Sequence, residues 1–496
     1  MDLQEYDSET LQVWGRRGFL AAAAALLAAG SSRAATATAL ASEPIYPGRF
    51  VTKADPDYER WRTAMPWQLY KAPRYPDVIV RPSHSSEVVA VVKRALREGR
   101  RLAIKSGGHN VSEAFLRDGG LLLDLGELQQ LETIAGQPDA WVDPALWSHG
   151  LLRGLAVHGK TFPVSHCATV PMGGFLLGGG IGYNHDAWGG LACHNIQAAD
   201  VVTAAGEQLR VSSEEHRDLW WALRGGGMGF PAVVTRLQLS LYPMPKSVME
   251  TAVIFPIGHL EAATTMLSEW AAARPADTEL MMLLAHNPTA TPETPPEASK
   301  MAIVRAVAYT GSEQQSRDTL ATLTSHPLAA QALMTVPAKA TSLEQMSVES
   351  INPALGLGFG RYAVDTVWTD ELAAMAGALR QQILTSPSPK THFVISPKMN
   401  RQLSRDSAFS VVGDTFVGAY AVWDAADDDA ANFAWLQQTK KTLAARACGQ
   451  YINEVDAFRD TSAPGRCFSP GAWQKLSEVR KQYDPKGRLY TWPALA

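Results

Sequence analysis

The sequence predicts an α+β protein in two main parts, on three observations. At 496 residues the chain is too long for one small core, and a composition that is 46% hydrophobic and 19% charged is that of a packed globular protein. Up to about residue 242, helical and strand-like stretches alternate. Beyond Tyr242-Pro243-Met244-Pro245 the texture changes to long helical stretches interspersed with strand-like runs, so a boundary is expected there.

The first element in chain order is a leader. Arg16-Arg17-Gly18-Phe19-Leu20 precedes an apolar run, Ala21 to Ala29, and a small-residue region containing Ala39-Leu40-Ala41 where a peptidase would cut. This is similar to a twin-arginine signal. The run is shorter than the roughly 20 residues a membrane span needs, so no stable membrane anchor is expected. Residues 1–41 are therefore read as a signal peptide engaging the twin-arginine translocase, which carries folded proteins, and a bacterial periplasmic or secreted product follows.

Tyr58 to Tyr75 is rich in Trp, Tyr, Arg and Pro and reads as a surface-packed segment to which the sequence attaches no role. Pro82-Ser83-His84-Ser85-Ser86 caps a helix with Val88, Val92, Ala95 and Leu96 at helical spacing and Gly99 as its stop. Arg101 to Ile104, Leu121 to Leu125 and Trp141-Val142 read as strands, and Pro144 to His158 as a helix. Asp200 to Thr203, Leu209 to Val211 and Val233 to Leu241 are further strands, with a helix over Glu214 to Leu223. In the second part, Leu260 to Ala273 and Glu371 to Leu384 read as helices and Met301 to Tyr309 and Thr415 to Val422 as strands. Asn287 to Ser299, crowded with Pro and Thr, reads as a loop, and Trp473 to Tyr483 as a helix stopped by Asp484-Pro485.

Bulk charge excludes some classes of function. A net charge of -4 argues against nucleic acid, which needs a concentrated basic face, and no His and carboxylate cluster has metal-ligand spacing, so no metal is expected. Cys167, Cys193, Cys448 and Cys467 are too few for a disulfide scaffold. Cys193 reads as core, and Cys448 and Cys467 could pair after export.

Chemistry concentrates in three stretches: Lys105-Ser106-Gly107-Gly108-His109-Asn110, Ser165-His166-Cys167-Ala168-Thr169-Val170-Pro171-Met172-Gly173-Gly174, and Leu177-Gly178-Gly179-Gly180-Ile181-Gly182. Glycine removes the Cβ that keeps a flat or anionic ligand off the backbone, so these stretches offer amide donors with the nucleophiles His109 and Cys167 beside them. Two other matches are accidental. Gly154 to Thr161 fits the P-loop pattern, but there a helix ends at Gly159 and Pro163 follows, whereas a P-loop opens a helix. Gly227 to Ala232 lies between a helix and a later strand, the reverse of the dinucleotide-binding order.

The spacing of His109, Cys167 and the glycines resembles the flavoproteins of the vanillyl-alcohol-oxidase and p-cresol methylhydroxylase (PCMH) type, in their berberine-bridge-like branch. The resemblance covers about Tyr58 to Tyr242 and Trp423 to Trp492. It implies a two-part PCMH-type FAD-binding domain, residues 42–242 with a returning C-terminal segment 446–496, and a substrate domain, 243–445, built on an antiparallel sheet flanked by helices. It implies FAD attached through His109 to the 8-methyl carbon and through Cys167 at ring position 6. Lys105, Ser106, Gly107, Gly108, Asn110, Thr169, Gly173, Gly174, Gly178, Gly179, Gly180, Gly182 and Asn453 would complete the cofactor site. Imidazole and thiolate are the side chains able to add to an electron-poor ring near neutral pH; otherwise Cys167 is a buried free thiol.

The implied function is an FAD-linked oxidase or dehydrogenase that oxidises an alcohol, amine or sugar-like small molecule by hydride transfer, with oxygen or another acceptor taking the electrons. A periplasmic ligand-binding protein without turnover is the reading from another class, and the paired nucleophiles argue against it. Gly449-Gln450-Tyr451-Ile452-Asn453 matches the family's Tyr-x-Asn, so Tyr451 is either the catalytic base or a buried sheet residue. Pro171 and Met172 depart from the pattern, and Met172 is expected to obstruct the approach of oxygen. Asp186 to Gly190 and Phe230-Pro231-Ala232 also depart from it.

Overall fold

The computed structural model describes residues 50–133, 136–291, 293–350, 360–399 and 406–492. The leader read over 1–41 lies outside them. Among the described residues no helix is long and apolar enough to cross a membrane, and no group of three His, Cys, Asp or Glu residues could hold a metal ion.

The first part carries two sheets. Strands β1 (Phe50–Thr52), β2 (Val78–Val80), β3 (Leu102–Lys105) and β4 (Leu121–Asp124) form a sheet in the order β1-β2-β4-β3, with β2, β4 and β3 parallel. Their near-continuous apolar runs, such as Leu121-Leu122-Leu123, suit strands buried on both faces. Strands β5 (Leu131–Thr133), β6 (Asp139–Val142), β8 (Ile196–Thr203), β9 (Gln208–Ser212) and β10 (Ala232–Ser240) form an antiparallel sheet in the order β5-β6-β10-β8-β9. Between them, β7 (Lys160–Thr161) pairs with β11 (Tyr242–Pro243). The C-terminal chain returns to this part, where Tyr490 N donates to Leu102 O beside β3 at 2.9 Å.

The second part is one seven-stranded antiparallel sheet. Its strands are β12 (Ser247–Pro256), β13 (Thr278–His286), β14 (Lys300–Thr310), β15 (Met334–Ala340), β16 (Arg361–Thr369), β17 (His392–Pro397) and β18 (Thr415–Trp423), in the order β15-β12-β14-β13-β17-β18-β16. Period-two alternation gives it two faces. Met249, Val253 and Phe255 of β12, with Leu280, Met282 and Leu284 of β13, pack against helices Leu260–Ala273, Glu313–Thr324, Leu372–Leu384 and Asp429–Ala444. The opposite residues, Glu250, Ala252 and Ile254 with Met281, Leu283 and Ala285, face a cavity against the first part.

Two expected helices come out shorter. The one read over Pro144 to His158 spans Ser148–Ala156, because Asp143 and Ala145 donate back to Gln130 and Leu128 instead of starting a helix. The one read from Glu214 starts at Arg217, because Ser212 Oγ accepts from the amides of Glu214 and Glu215 and His216 takes a left-handed φ of 50°.

Asp124, at the end of β4, is fully buried and pairs with Lys105 Nζ at 2.8 Å and Arg81 Nε at 2.6 Å, pinning the strand end that launches the Gly107-Gly108-His109 turn. Burial would raise its pKa, but the two cations outweigh that and hold it low. Asp124→Asn, which leaves both cations short of a partner, is expected to cost about 3 kcal/mol in urea unfolding near neutral pH. A depressed carboxylate pKa contributes stability above the unfolded value and loses it as pH falls through the folded one. The gap between parent and variant is therefore expected to close in acid.

Candidate active site

The turn after β3 is forced by its glycines. Gly108 has φ +77°, and a Cβ on it would lie 1.9 Å from Met65 O, so only glycine fits. The segment Tyr58 to Tyr75, which carried no role in the sequence, clamps this turn. Trp67 N donates to Gly108 O, Trp67 Nε1 donates to His109 O at 3.0 Å, and the Trp67 ring stacks on the His109 imidazole at 4.3 Å. Asn110 works within the turn, its Oδ1 accepting from Ser112 Oγ and Ala114 N. The backbone N–H groups of Ser106, Gly107, Gly108, His109 and Asn110 donate to no protein group among the described residues, and all five residues line the cavity.

Cys167 meets His109 at this wall. Its Sγ lies 3.7 Å from His109 Nε2 and 3.5 Å from Thr169 Oγ1, and Thr169 Oγ1 is 3.1 Å from the same imidazole nitrogen. Burial pushes the thiol pKa up, but the His109 charge and hydrogen bonds from His109 and Thr169 overcome this and bring it down to about 7.

The loop bearing Cys167 is held from the second part. His166 Nε2 lies 2.5 Å from Glu279 Oε1 on β13, and Glu279 Oε2 accepts from Asn184 N at 3.0 Å and Tyr309 hydroxyl at 3.1 Å. Burial would raise the Glu279 pKa, but the His166 charge and hydrogen bond dominate and set it at about 2.

The glycine cluster divides by role. Met172–Leu177 is a short helix rather than a loop, held by the buried Phe175 and Leu176, and Gly173 and Gly174 in it line the cavity. Nothing lies within 4 Å of where a Gly174 Cβ would stand. Gly178, Gly179 and Gly180 use their amides within the protein, donating to Gly174 O, Leu176 O and the Tyr451 hydroxyl, which corrects the reading of these three as ligand-facing donors; none of them, nor Gly182, is among the cavity-lining residues. They permit close packing: a Cβ on Gly178 would lie 1.8 Å from Asn453 Oδ1, and one on Gly182 2.1 Å from Pro163 O. Met172, expected to obstruct the approach of oxygen, is fully buried in the core and is not among the residues lining the cavity.

Tyr451 takes the second of its two readings, buried although outside any strand. Its hydroxyl oxygen accepts from Gly180 N and Ile181 N, both at 3.2 Å, and from Asn453 Nδ2 at 3.1 Å. Burial raises its pKa further. These three donors tie Tyr451 to the glycine cluster, and burial keeps its phenol protonated.

A buried carboxyl in the cavity wall is that of Glu454, missed in the sequence although it directly follows the Tyr-x-Asn motif. Tyr420 hydroxyl donates to Glu454 Oε2 at 2.7 Å, and His392 stacks on Tyr420 at 5.1 Å. Burial raises the Glu454 pKa, against the lowering effect of the Tyr420 hydrogen bond and the His109 and His166 charges. Arg117 was missed as well. It lines the cavity, donates from Nη2 to Thr491 O at 3.0 Å, and lies over the Phe458 ring at 4.5 Å. A lone loop arginine gives no sequence signal.

Of the remaining cysteines, Cys193 is buried core with its thiol pushed up to about 12 by burial, while Cys448 is exposed and Cys467 buried, both as free thiols.

An FAD-binding-domain family model matches residues 76–212. The "FAD-linked oxidoreductase janO" of Penicillium janthinellum is 28% identical over 441 residues, covering 87% of this chain and 94% of that protein. Among solved structures, Physcomitrella patens BBE-like 1 superposes with a TM-score of 0.76 at 18% identity, covering 95% of this chain and 98% of that one. The 6-hydroxy-D-nicotine oxidase of Arthrobacter nicotinovorans superposes with a TM-score of 0.75 at 20% identity, covering 90% and 98%.

The site fits such a cofactor. A cavity of about 920 Å³ runs from Tyr490 and Arg117 to the seven-stranded sheet, five consecutive free amides suit an anionic group, and open space beside Gly174 admits a flat one. In flavin-free protein, alkylation of Cys167 by iodoacetamide is expected to rise with pH through a midpoint near 7. In His109→Ala the midpoint should climb toward the ordinary cysteine value; an unmoved midpoint would remove His109 as the cause.

Proposed function

We propose, for a chain that belongs to the berberine-bridge-like FAD-linked oxidoreductases, that FAD is attached at both His109 and Cys167 and serves to oxidise an alcohol, amine or sugar-like small molecule. The observation that carries this reading is the convergence of two nucleophiles from separate loops, Cys167 Sγ and His109 Nε2 at 3.7 Å, on a wall of free amides. Binding alone needs no such pair, which is why a non-catalytic ligand-binding protein is the weaker alternative. When bound, FAD supplies the acceptor for a hydride leaving the substrate carbon.

Each residue has a task in this reading. The amides of Ser106 to Asn110 and the Arg117 guanidinium bind the anionic part of the cofactor. The ionised Cys167 thiol is the attacking form for attachment, and the Thr169 hydroxyl orients both it and His109. Glu279 fixes the Cys167 loop through His166. Glu454 takes the proton from the substrate oxygen or nitrogen, with Tyr420 hydrogen-bonded to it.

Dioxygen is the acceptor this reading favours, in keeping with the oxidase among the structural neighbours; a dehydrogenase using another acceptor is the alternative. Export is part of the same proposal, on the strength of Arg16-Arg17 and the apolar run that follows. A covalently fixed cofactor is not lost outside the cell.

Acid precipitation of the purified protein tests the attachment. Yellow colour is expected to stay in the pellet for the parent and for His109→Ala and Cys167→Ala singly, and to pass into the supernatant for the double variant. Colour released from the parent would overturn the covalent reading.

A further inference from the structure

The cavity face of the large sheet carries an ion-pair cluster set in an apolar floor. Arg305 on β14 has Ala252 of β12 and Met281 of β13 as its cross-strand neighbours, and Ile254 and Leu283 line the cavity beside them. Glu250 Oε2 accepts from Arg305 Nε at 2.9 Å and also from Nη2, while Lys339 Nζ lies 3.1 Å from Glu250 Oε1. Burial would raise the Glu250 pKa, but the Arg305 and Lys339 charges hold it low. Burial would lower that of Arg305, but Glu250 outweighs it, so both members of the pair are ionised.

Two features leave this cluster open towards the cavity. Lys339 brings a second cation to the same carboxylate, so the cluster holds one more positive charge than negative. Glu349 and Glu454 also line the cavity, yet among the described residues only Glu250 lies within ion-pairing distance of Arg305; Glu349 accepts from Gln345 and Glu454 from Tyr420. Hydrogen-bond donors are in surplus as well. A guanidinium has five N–H groups, and Glu250 takes one on Nε and one on Nη2. Nη1 donates to no protein group among the described residues, and it keeps accessible surface where the unpartnered Nε atoms of Arg74 and Arg274 are sealed off. The free end of the fork, Nη1 with the second N–H of Nη2, is an edge that takes a carboxylate through two parallel hydrogen bonds. Glu250 already fixes the guanidinium plane, so little freedom is lost when that edge is filled.

We infer that the substrate carries a carboxylate on an apolar body, and that Arg305 binds this carboxylate through its free Nη1 edge. The inference rests on the flavin-dependent oxidation proposed above and names a second group on the same substrate, apart from the one oxidised. A carboxylate brings one negative charge, which matches the single surplus cation of the cluster. A phosphate dianion would bring a second charge for which the cluster has no cation. The apolar floor around Arg305 takes the body of the ligand and strengthens the charged hydrogen bonds by keeping water out.

Spectral titration of the flavin in the holoenzyme tests this with three probes that have no alcohol or amine to oxidise: phenylacetate, its neutral counterpart phenylacetamide, and phenyl phosphate. Phenylacetate is expected to bind about tenfold tighter than phenylacetamide and tighter than phenyl phosphate. R305M should lose about tenfold in affinity for phenylacetate and change less than about twofold for phenylacetamide. Removing Arg305 alone leaves Glu250 to repel an anion, so the double variant E250Q/R305M, which removes both charges, is expected to show the same loss. Unchanged flavin spectra and melting temperatures would show that the variants are folded, and the parent's own order of preference decides where they are not. No binding of phenylacetate, phenylacetamide or phenyl phosphate binding at least as tightly, or a folded double variant that keeps the phenylacetate preference, would each overturn the inference. A colourless parent protein would instead refute the flavin reading beneath it, so the two failures are told apart.

Discussion

The contact between Cys167 and His109 is the constraint on which the site depends. It joins loops 58 positions apart, and neither loop holds its nucleophile in place alone. The His109 turn is clamped by Trp67 and anchored through Lys105 on Asp124, both within the first part of the chain. The Cys167 loop is held from outside, by Glu279 on the large sheet acting through His166. The Cys167 loop is thus held from both parts, since Ser148, His149 and Tyr183 of the first part also bond to its backbone. Glu279 is buried and ionised in that arrangement, and removing its partner would leave an uncompensated charge, so the docking is strongly specified.

The sheet that completes the site uses strand periodicity to separate two tasks. Alternate residues of β12, β13 and β14 face the helical layer and build the core, while those between them face the cavity and set its chemistry. A one-residue slip in β12 or β14 would exchange Glu250 or Arg305 for a core methionine or alanine, so register protects stability and the chemistry of the cavity together. The C-terminal segment ties the halves: Cys448 N donates to Trp368 O, Tyr451 braces Gly180, and Tyr490 lies alongside β3.

How much was legible depended on whether the signal was local. His109 and Cys167 stood out because glycine-rich turns and nucleophiles are read from a few neighbouring residues, and the helix Leu260–Ala273 has the limits its periodicity suggests. The role of Gly178 to Gly182 was misread because a glycine needed for close packing looks the same in sequence as one that presents its amide to a ligand; only the nearness of Asn453 and Pro163 separates them. Tyr451 was read without its surroundings for the same reason, since two of its three donors, Gly180 N and Ile181 N, lie about 270 residues away. Glu454, Glu279 and Trp67 were invisible because their partners, Tyr420, His166 and His109, lie far off in the chain.

The central claim is that two side chains at one wall share one flavin. Mass spectrometry of a tryptic digest tests it most directly. The account predicts that the peptides containing His109 and Cys167 are recovered joined, at their summed mass plus that of one flavin. Recovery of both peptides separately at their unmodified masses would contradict it.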